Sequence, residues 1–329
     1  MAVRKRVSKI LKCTLPGDHR ERIQELLEIA GSLPFHERYV NGESREVWTE
    51  LSTLGDELRF DPVAIDALAV AYEMMHRAAA NVETIVKRLE AIGYQFRETA
   101  FSPYWRTSLL DTAMSARFEQ LAATVEWNGP ALAVFPELAG IWESQRVSEE
   151  ARARAAQERR MGIVRPHVQP EPLTEFRIKR VVRSAGAMPI SLRAWHETVG
   201  GVNLVGSHPV LAPPGVECDP LFEAPFQFVL DRWRAWEEDD SAQQEPPPFQ
   251  IPISPHRIAK AGGSANAPLY TVTLPNAGLD AIVENEPHGL HFVAYLRLAF
   301  EWCGFPGYAD APAEAPKVLA SLRHGLLPL

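Results

Sequence analysis

Apolar residues recur at helical spacing over the first half of the chain, about 19–160. The first predicted helix covers Arg20 to Ala30. A longer one begins at Asp61, a good N-cap, followed by Pro62, whose missing N–H is harmless in a first turn. Its apolar positions continue to Ile92, either as one helix or as two helices with a break near the middle. The pattern predicts a mainly helical first half.

Two further segments complete that half. Ser108 to Val125 again has helical spacing, whereas Ser148 to Met161 is dominated by charged residues and lacks a wide apolar stripe. The second pattern is typical of a solvated helix or a helical linker. Regular structure is then interrupted by three prolines, Pro166, Pro170 and Pro172. We therefore predict a boundary near 162–172, between a mainly helical domain at 1–161 and a second domain at 162–329.

The second half mixes helices with strands. Helices are predicted at Thr174 to Ala185, Ser191 to Val199 and His291 to Cys303. Strand composition is found in four segments, Val202 to Val205, Phe226 to Leu230, Gln250 to Ile253 and Leu269 to Leu274. Glu237 to Pro248 is acidic and then proline-rich, which indicates an exposed loop. The predicted fold class is α+β, with a mostly antiparallel sheet flanked by helices.

Composition and charge exclude several classes of protein. The chain has 329 residues, of which 46% are hydrophobic and 23% charged, so it can fold around its own core. Three widely spaced cysteines argue against a disulfide framework or a cysteine zinc site. The net charge of −8 disfavours a general nucleic-acid binder. Because no long apolar run follows the basic start or occurs elsewhere, we expect a cytoplasmic protein without a membrane segment.

Motifs for catalysis or metal binding are incomplete. His288 and His291 stand at a metal-like spacing near several acids, but Pro287 and Gly289 interrupt a helix there. The segment 260–264 (KAGGS) lacks the Walker spacing. Ser207, His208 and Asp219 are the residue types of a catalytic triad, but the sequence around Ser207 is not a nucleophile elbow. We therefore assign no catalytic, cofactor-binding or metal-binding residues and expect no cofactor.

One segment has the composition of a protein-binding patch. Two tryptophans precede a run of carboxylates, in the order Trp233, Trp236, Glu237, Glu238, Asp239 and Asp240. Aromatic side chains beside carboxylates suit a basic protein partner. The alternative is a partly buried tryptophan pair followed by a solvated acidic loop.

The start of the second half resembles the SUKH superfamily, the Smi/Knr-like domains. A helix ends at Gly186, Met188-Pro189 follows, a short helix carries an aromatic residue (SLRAWHETV), and a Gly-Gly-Val-Asn turn leads into a strand. Met188 stands where the family usually has leucine, and Gly201-Val202-Asn203 replaces its usual Asn-Gly. A later helix near Phe292 also fits, so the resemblance covers roughly 172–308 and leaves the first half unexplained.

The resemblance implies a function in protein binding. SUKH-type domains are mainly protein-binding modules, and many bacterial members are similar to immunity proteins that neutralise a toxin, often a basic nuclease. Our first hypothesis is therefore a non-enzymatic bacterial protein of immunity type with a basic toxin domain as its partner. The alternative is an adaptor or regulatory scaffold that uses both halves. A hydrolase or metal-dependent enzyme, which would need His208 or His288, is the third hypothesis.

Overall fold

The structure is a computed structural model that describes residues 19–55, 58, 62–97, 165–171, 173–213, 216–240, 247–262 and 267–329. Several sequence predictions lie outside these residues. They are the helix Ser108 to Val125, the charged segment Ser148 to Met161, and the predicted cap Asp61.

Four helices form the described N-terminal part: α1 (His19–Ala30), α2 (Pro34–Val40), α3 (Ser44–Thr53) and α4 (Val63–Ala91). The long helix predicted from Pro62 is confirmed as one continuous element without a central break. Asp66 near its start accepts the backbone N–H groups of Phe35 (2.8 Å) and His36 (2.9 Å). Because these donors belong to the first turn of α2, the carboxylate supplies from α4 the cap that α2 lacks in its own sequence.

The second half contains six further helices among the described residues. They are α5 (Thr174–Ala185), α6 (Ile190–Thr198), α7 (Phe226–Asp240), α8 (Arg257–Lys260), α9 (Phe292–Glu301) and α10 (Val318–Arg323). Short 3-10 turns at Pro306–Ala309 and Pro312–Glu314 lie between α9 and α10. The predicted bounds of α5 are met at both ends, and those of α6 and α9 differ from the prediction by one or two residues.

Short strands form three small antiparallel sheets in the described part of the chain. The strands are β1 (Gln95–Phe96), β2 (His167–Val168), β3 (Gly201–Asn203), β4 (Gly206–Ser207), β5 (Phe222–Glu223), β6 (Gln250–Ser254) and β7 (Tyr270–Thr273). The sheets have the strand orders β1-β4, β2-β3-β5 and β6-β7. The predicted α+β class is confirmed.

The strand prediction at Phe226 to Leu230 is wrong, because this segment is the first part of α7. Aromatic and β-branched residues gave it strand composition. The side chains that it contributes to the main core, however, recur three and four residues apart, at Phe226, Val229, Leu230 and Trp233, while Phe228 is buried in a second, smaller cluster. The loop predicted from Glu237 also begins too early, since α7 continues through Asp240.

Glycines hold the corner between α5, α6 and β3. Gly186 ends α5 at φ +89°, and a Cβ there would lie 2.5 Å from Cβ of Pro275. Gly200 has φ +85°, and its Cβ would lie 2.3 Å from the carbonyl oxygen of Val168. Positive φ and close approach together restrict both positions to glycine. The motif that carries the family resemblance is therefore a structural corner.

The described residues on both sides of the predicted domain boundary share one hydrophobic core. Side chains of α4, such as Met74 and Ile85, belong to the same buried cluster as Trp195 of α6 and Leu296 of α9. The Tyr94 hydroxyl after α4 donates to the carbonyl oxygen of Leu204 at 2.8 Å. The helical part therefore packs against the second half and is not a separate unit in this structure.

Candidate functional site

The predicted patch on α7 divides into a buried and an exposed part. Trp233 is only 1% exposed, and its indole N–H donates to the Ser184 hydroxyl at 2.8 Å. The guanidinium carbon of Arg180 lies 5.1 Å from its ring centroid. Trp233 therefore belongs to the core between α5 and α7. It offers no surface to a partner, because its ring is buried where α7 packs on α5.

Trp236 is half-buried and anchored. Its indole N–H donates to the carbonyl oxygen of Pro247 at 2.8 Å, and its ring lies 5.6 Å from that of Phe249. These contacts fasten the last part of α7 to the segment that enters β6. Part of the indole remains accessible, one residue before the acidic end of the helix.

The acidic end of α7 has an unfavourable position for its charge. Glu237 and Glu238 are exposed, and the helix continues through Asp239 and Asp240 with no basic residue in its last turn. A helix C-terminus carries partial negative charge, so carboxylates there cost stability. Violations of such local rules are concentrated at functional sites. This end of α7 is accordingly the strongest candidate surface that the sequence predicted.

His288 is held by two carboxylates. Its Nδ1 lies 2.7 Å from Oε1 of Glu286, and its Nε2 lies 2.7 Å from Oδ1 of Asp310. Partial burial lowers the pKa of His288, but the two hydrogen bonds outweigh that effect and the net shift is upward. His291 instead occupies the N-cap position of α9. Among the described residues, no group of three or more His, Cys, Asp or Glu side chains is arranged to hold a metal ion.

The residue types of the triad considered from sequence have separate partners. His208 Nδ1 accepts the backbone N–H groups of Val210 (3.2 Å) and Leu211 (3.1 Å), which makes it part of a turn. Asp219 Oδ1 accepts a hydrogen bond from Lys260 Nζ at 2.7 Å. Ser207 lies exposed in β4. The structure therefore does not bring these residues together as a nucleophile, a base and an orienting acid.

A cluster of buried polar side chains in the second half was not predicted from sequence. The Lys260–Asp219 ion pair has side-chain exposures of 0% and 5%, and Lys260 Nζ lies 5.2 Å from the Tyr270 ring centroid. Tyr270 packs edge-on against Tyr295 of α9 at 6.2 Å between centroids. Glu223 of β5 is fully buried nearby, and burial raises its pKa well above the usual range although the charge of Lys260 opposes this shift.

Weak sequence signals explain why this cluster was missed. In the sequence, Lys260 and Asp219 belong to other candidate motifs, and Glu223 lies in a strand of two residues, which is too short to show an alternating pattern. The five side chains come from three separate segments of the chain, 219–223, 260–270 and the helix α9. A single sequence without covariation holds no local pattern that joins them.

A second buried polar cluster joins the N-terminal helices to α6. Glu197 accepts hydrogen bonds from the Tyr72 hydroxyl and from Arg193 Nε (2.9 Å), and an Arg22 nitrogen lies 3.9 Å from it. The Glu197 side chain is 1% exposed. Its hydrogen bonds are made to neighbours on α4 and α6, so the geometry is that of a structural ion-pair network.

Comparisons of the chain with family models, curated proteins and solved structures found no match. No helix in the described ranges is both long enough and apolar enough to span a membrane.

Proposed function

We propose that this chain is a cytoplasmic, non-enzymatic protein-binding module that captures a basic protein partner at the acidic end of α7. The observation that carries the proposal is the run of acidic residues that ends α7, a helix whose last turn contains no basic residue. Their placement opposes the helix dipole, which disfavours negative charge at a helix C-terminus.

The charge of the whole chain supports a basic partner. The net charge is −8, and complementary charge accelerates encounter and opposes binding of acidic competitors. Glu237 and Glu238 would supply the charged rim of the contact, and the half-buried Trp236 its apolar part. Because hydrogen bonds and ring packing already fix Trp236, the surface needs little reordering on binding.

Within this proposal we favour an immunity-type role with a basic toxin domain as the partner. Its support is the helix, proline, helix and glycine order at 174–206, which is similar to SUKH-type domains. The second candidate is an adaptor, supported by the core that the N-terminal helices share with the second half. The two roles differ in the partner: a small toxin for the first, and an assembly or housekeeping protein for the second.

The test begins with affinity purification of the full chain from its own cells and identification of the co-purified protein by mass spectrometry. The dissociation constant of that protein is then measured for the parent and for the Glu237→Lys/Glu238→Lys variant. We expect about tenfold weaker binding by the variant, or about 1.4 kcal/mol. Inhibition of a toxic activity of the partner by this chain supports the immunity role.

The matched control is Glu28→Lys/Glu90→Lys. Glu28 and Glu90 are exposed and lie in the last turns of α1 and α4, so the local helix position is the same. Each Glu→Lys change adds two charges, so both double variants move the net charge from −8 to −4. Equal weakening by the two variants would indicate a general charge effect and remove the α7 surface as the binding site.

A further inference from the structure

Four buried polar atoms of the second half have no hydrogen-bond partner among the described residues. They are both carboxyl oxygens of Glu223 and the hydroxyl oxygens of Tyr270 and Tyr295. Each of the three residues is 0% exposed. A buried polar group without a partner costs about 1–3 kcal/mol, so several of them in one region would consume much of the stability of a domain.

These groups lie close to one another. The rings of Tyr270 and Tyr295 pack together, and the pKa of Tyr295 is raised first by burial and then by the neighbouring Asp219 and Glu223 carboxyls. Burial raises the pKa of Glu223, and the nearby positive charge of Lys260 opposes that shift. The Lys260 ammonium also donates a hydrogen bond to Asp219 and lies near the Tyr270 ring. The unsatisfied groups therefore form one polar region between β5, β7, α8 and α9.

The polar groups and the burial of this region limit which molecule could bind in it. Carboxyl and hydroxyl oxygens can both donate and accept, which suits a molecule that does the same. Residues with no exposed surface enclose the region, so a guest must be small enough to enter through ordinary fluctuations of the fold. Water meets both conditions, and buried water commonly joins two to four otherwise unsatisfied polar groups.

We propose that Glu223, Tyr270 and Tyr295 form an internal binding site for ordered water, bordered by the Lys260–Asp219 ion pair. The water joins a strand of one sheet (β5) to a strand of another (β7) and to helix α9. It thereby provides the hydrogen bonds that the side chains do not make directly.

The test is a crystal structure of the full chain at a resolution that orders buried water, together with oxygen-17 relaxation dispersion in solution. We expect water within hydrogen-bond distance of a Glu223 carboxyl oxygen and of at least one of the two tyrosine hydroxyls. Oxygen-17 dispersion should show long-lived internal water, and Glu223→Leu should remove part of that signal. If Glu223→Leu does not fold, Tyr295→Phe provides the same test with the loss of one hydroxyl.

Two controls separate this site from other internal water. Glu223→Gln keeps a polar side chain of the same shape and should retain the water. Tyr39→Phe removes another buried hydroxyl, on α2, and should leave the water at Glu223 in place. A dry region in which Glu223 bonds directly to Tyr295, Tyr270 or Lys260 would overturn the proposal, as would unchanged internal water in both Glu223→Leu and Tyr295→Phe.

Discussion

At the scale of single residues, His196 makes the fold sensitive to acid. It is 1% exposed, neither ring nitrogen has a hydrogen-bond partner among the described residues, and its ring packs edge-on against Phe226 at 5.0 Å. Burial lowers the pKa of His196 from 6.5 to about 3. Between pH 6.5 and about pH 3, His196 is protonated in the unfolded chain but not in the folded chain. The stability is therefore fully present above pH 6.5 and is lost as the pH falls toward 3.

We predict that His196→Phe removes this part of the acid sensitivity. Between about pH 7 and about pH 5, the parent should lose about 2 kcal/mol of unfolding free energy through His196, at about 1.4 kcal/mol per pH unit. The variant should lack that loss. Urea denaturation at both pH values measures it, with the exposed His324→Phe as control. Equal pH dependence of the parent and His196→Phe would contradict the prediction.

Glu223 has the opposite pH dependence. Burial raises its pKa in the folded state above the usual value of 4.5, so the folded chain keeps a proton that the unfolded chain has lost. The contribution of Glu223 to stability is thus complete below pH 4.5 and declines as the pH rises. We predict that Glu223→Gln increases the unfolding free energy at about pH 7, because the amide is buried without taking up a proton, by about 1.4 kcal/mol for each pH unit between 4.5 and the raised pKa of the folded chain.

Chemical denaturation of Glu223→Gln at about pH 7 and about pH 4 gives the direct measurement, and the gain should vanish at the lower pH. The exposed Glu301→Gln is the matched control and should change stability little at either pH. A variant that is less stable than the parent at about pH 7 would show that Glu223 is ionised and compensated in the folded state.

At the scale of elements, the spacing of apolar residues predicted helices better than amino-acid composition predicted strands. The long α4 and the amphipathic α5 were predictable because their apolar side chains repeat over several turns. The sequence predicts a strand at the start of α7 because Phe226, Phe228 and Val229 favour strands, whereas tertiary packing at helical spacing decides its structure. Of the candidate site, the sequence identified the acidic residues, but whether each tryptophan is buried depends on contacts with α5 and β6.

The acidic end of α7 predicts a conflict between stability and binding. Glu237→Lys replaces a charge that the helix dipole disfavours by one that it favours, so the unfolding free energy should rise by about 0.3–1 kcal/mol. The same change should weaken capture of a basic partner. Thermal denaturation and a binding isotherm on the same preparation measure both effects. If Glu237→Lys weakens binding but also destabilises the fold, the loss of binding cannot be assigned to surface charge.

The packing of α4 on α6 depends on a buried carboxylate. Glu197→Ala leaves Arg193, Arg22 and the Tyr72 hydroxyl without their shared acceptor, and we expect a loss of about 3–5 kcal/mol of unfolding free energy. Equilibrium denaturation measures this loss, and Glu90→Ala on the exposed side of α4 serves as control. A loss below about 1 kcal/mol would place this cluster with surface ion pairs, which contribute little.

At the scale of the whole molecule, the joint core gives the N-terminal helices a structural role that the resemblance leaves open. The resemblance covers roughly 172–308, but α4 packs its buried side chains against α6 within that range. Asn81 of α4 also exchanges two hydrogen bonds with the backbone of Leu327, at 2.9 and 2.7 Å. Such long-range contacts could not be predicted from the sequence, because the local pattern around each residue does not indicate which distant residue it contacts.

These contacts predict that residues 165–329 do not form a stable unit on their own. Removal of α1 to α4 would expose the apolar side of α6 and leave the buried Glu197 without Tyr72 and Arg22. We expect the fragment to lack fixed side-chain packing, with a weak near-ultraviolet circular dichroism signal and a broad urea transition. Addition of a separate fragment 1–97 should restore both signals, because it returns the missing faces of the core. Cooperative unfolding of 165–329 alone would instead show that the boundary predicted near 162–172 separates two independently folding domains, and that the core shared with α4 adds stability without being required.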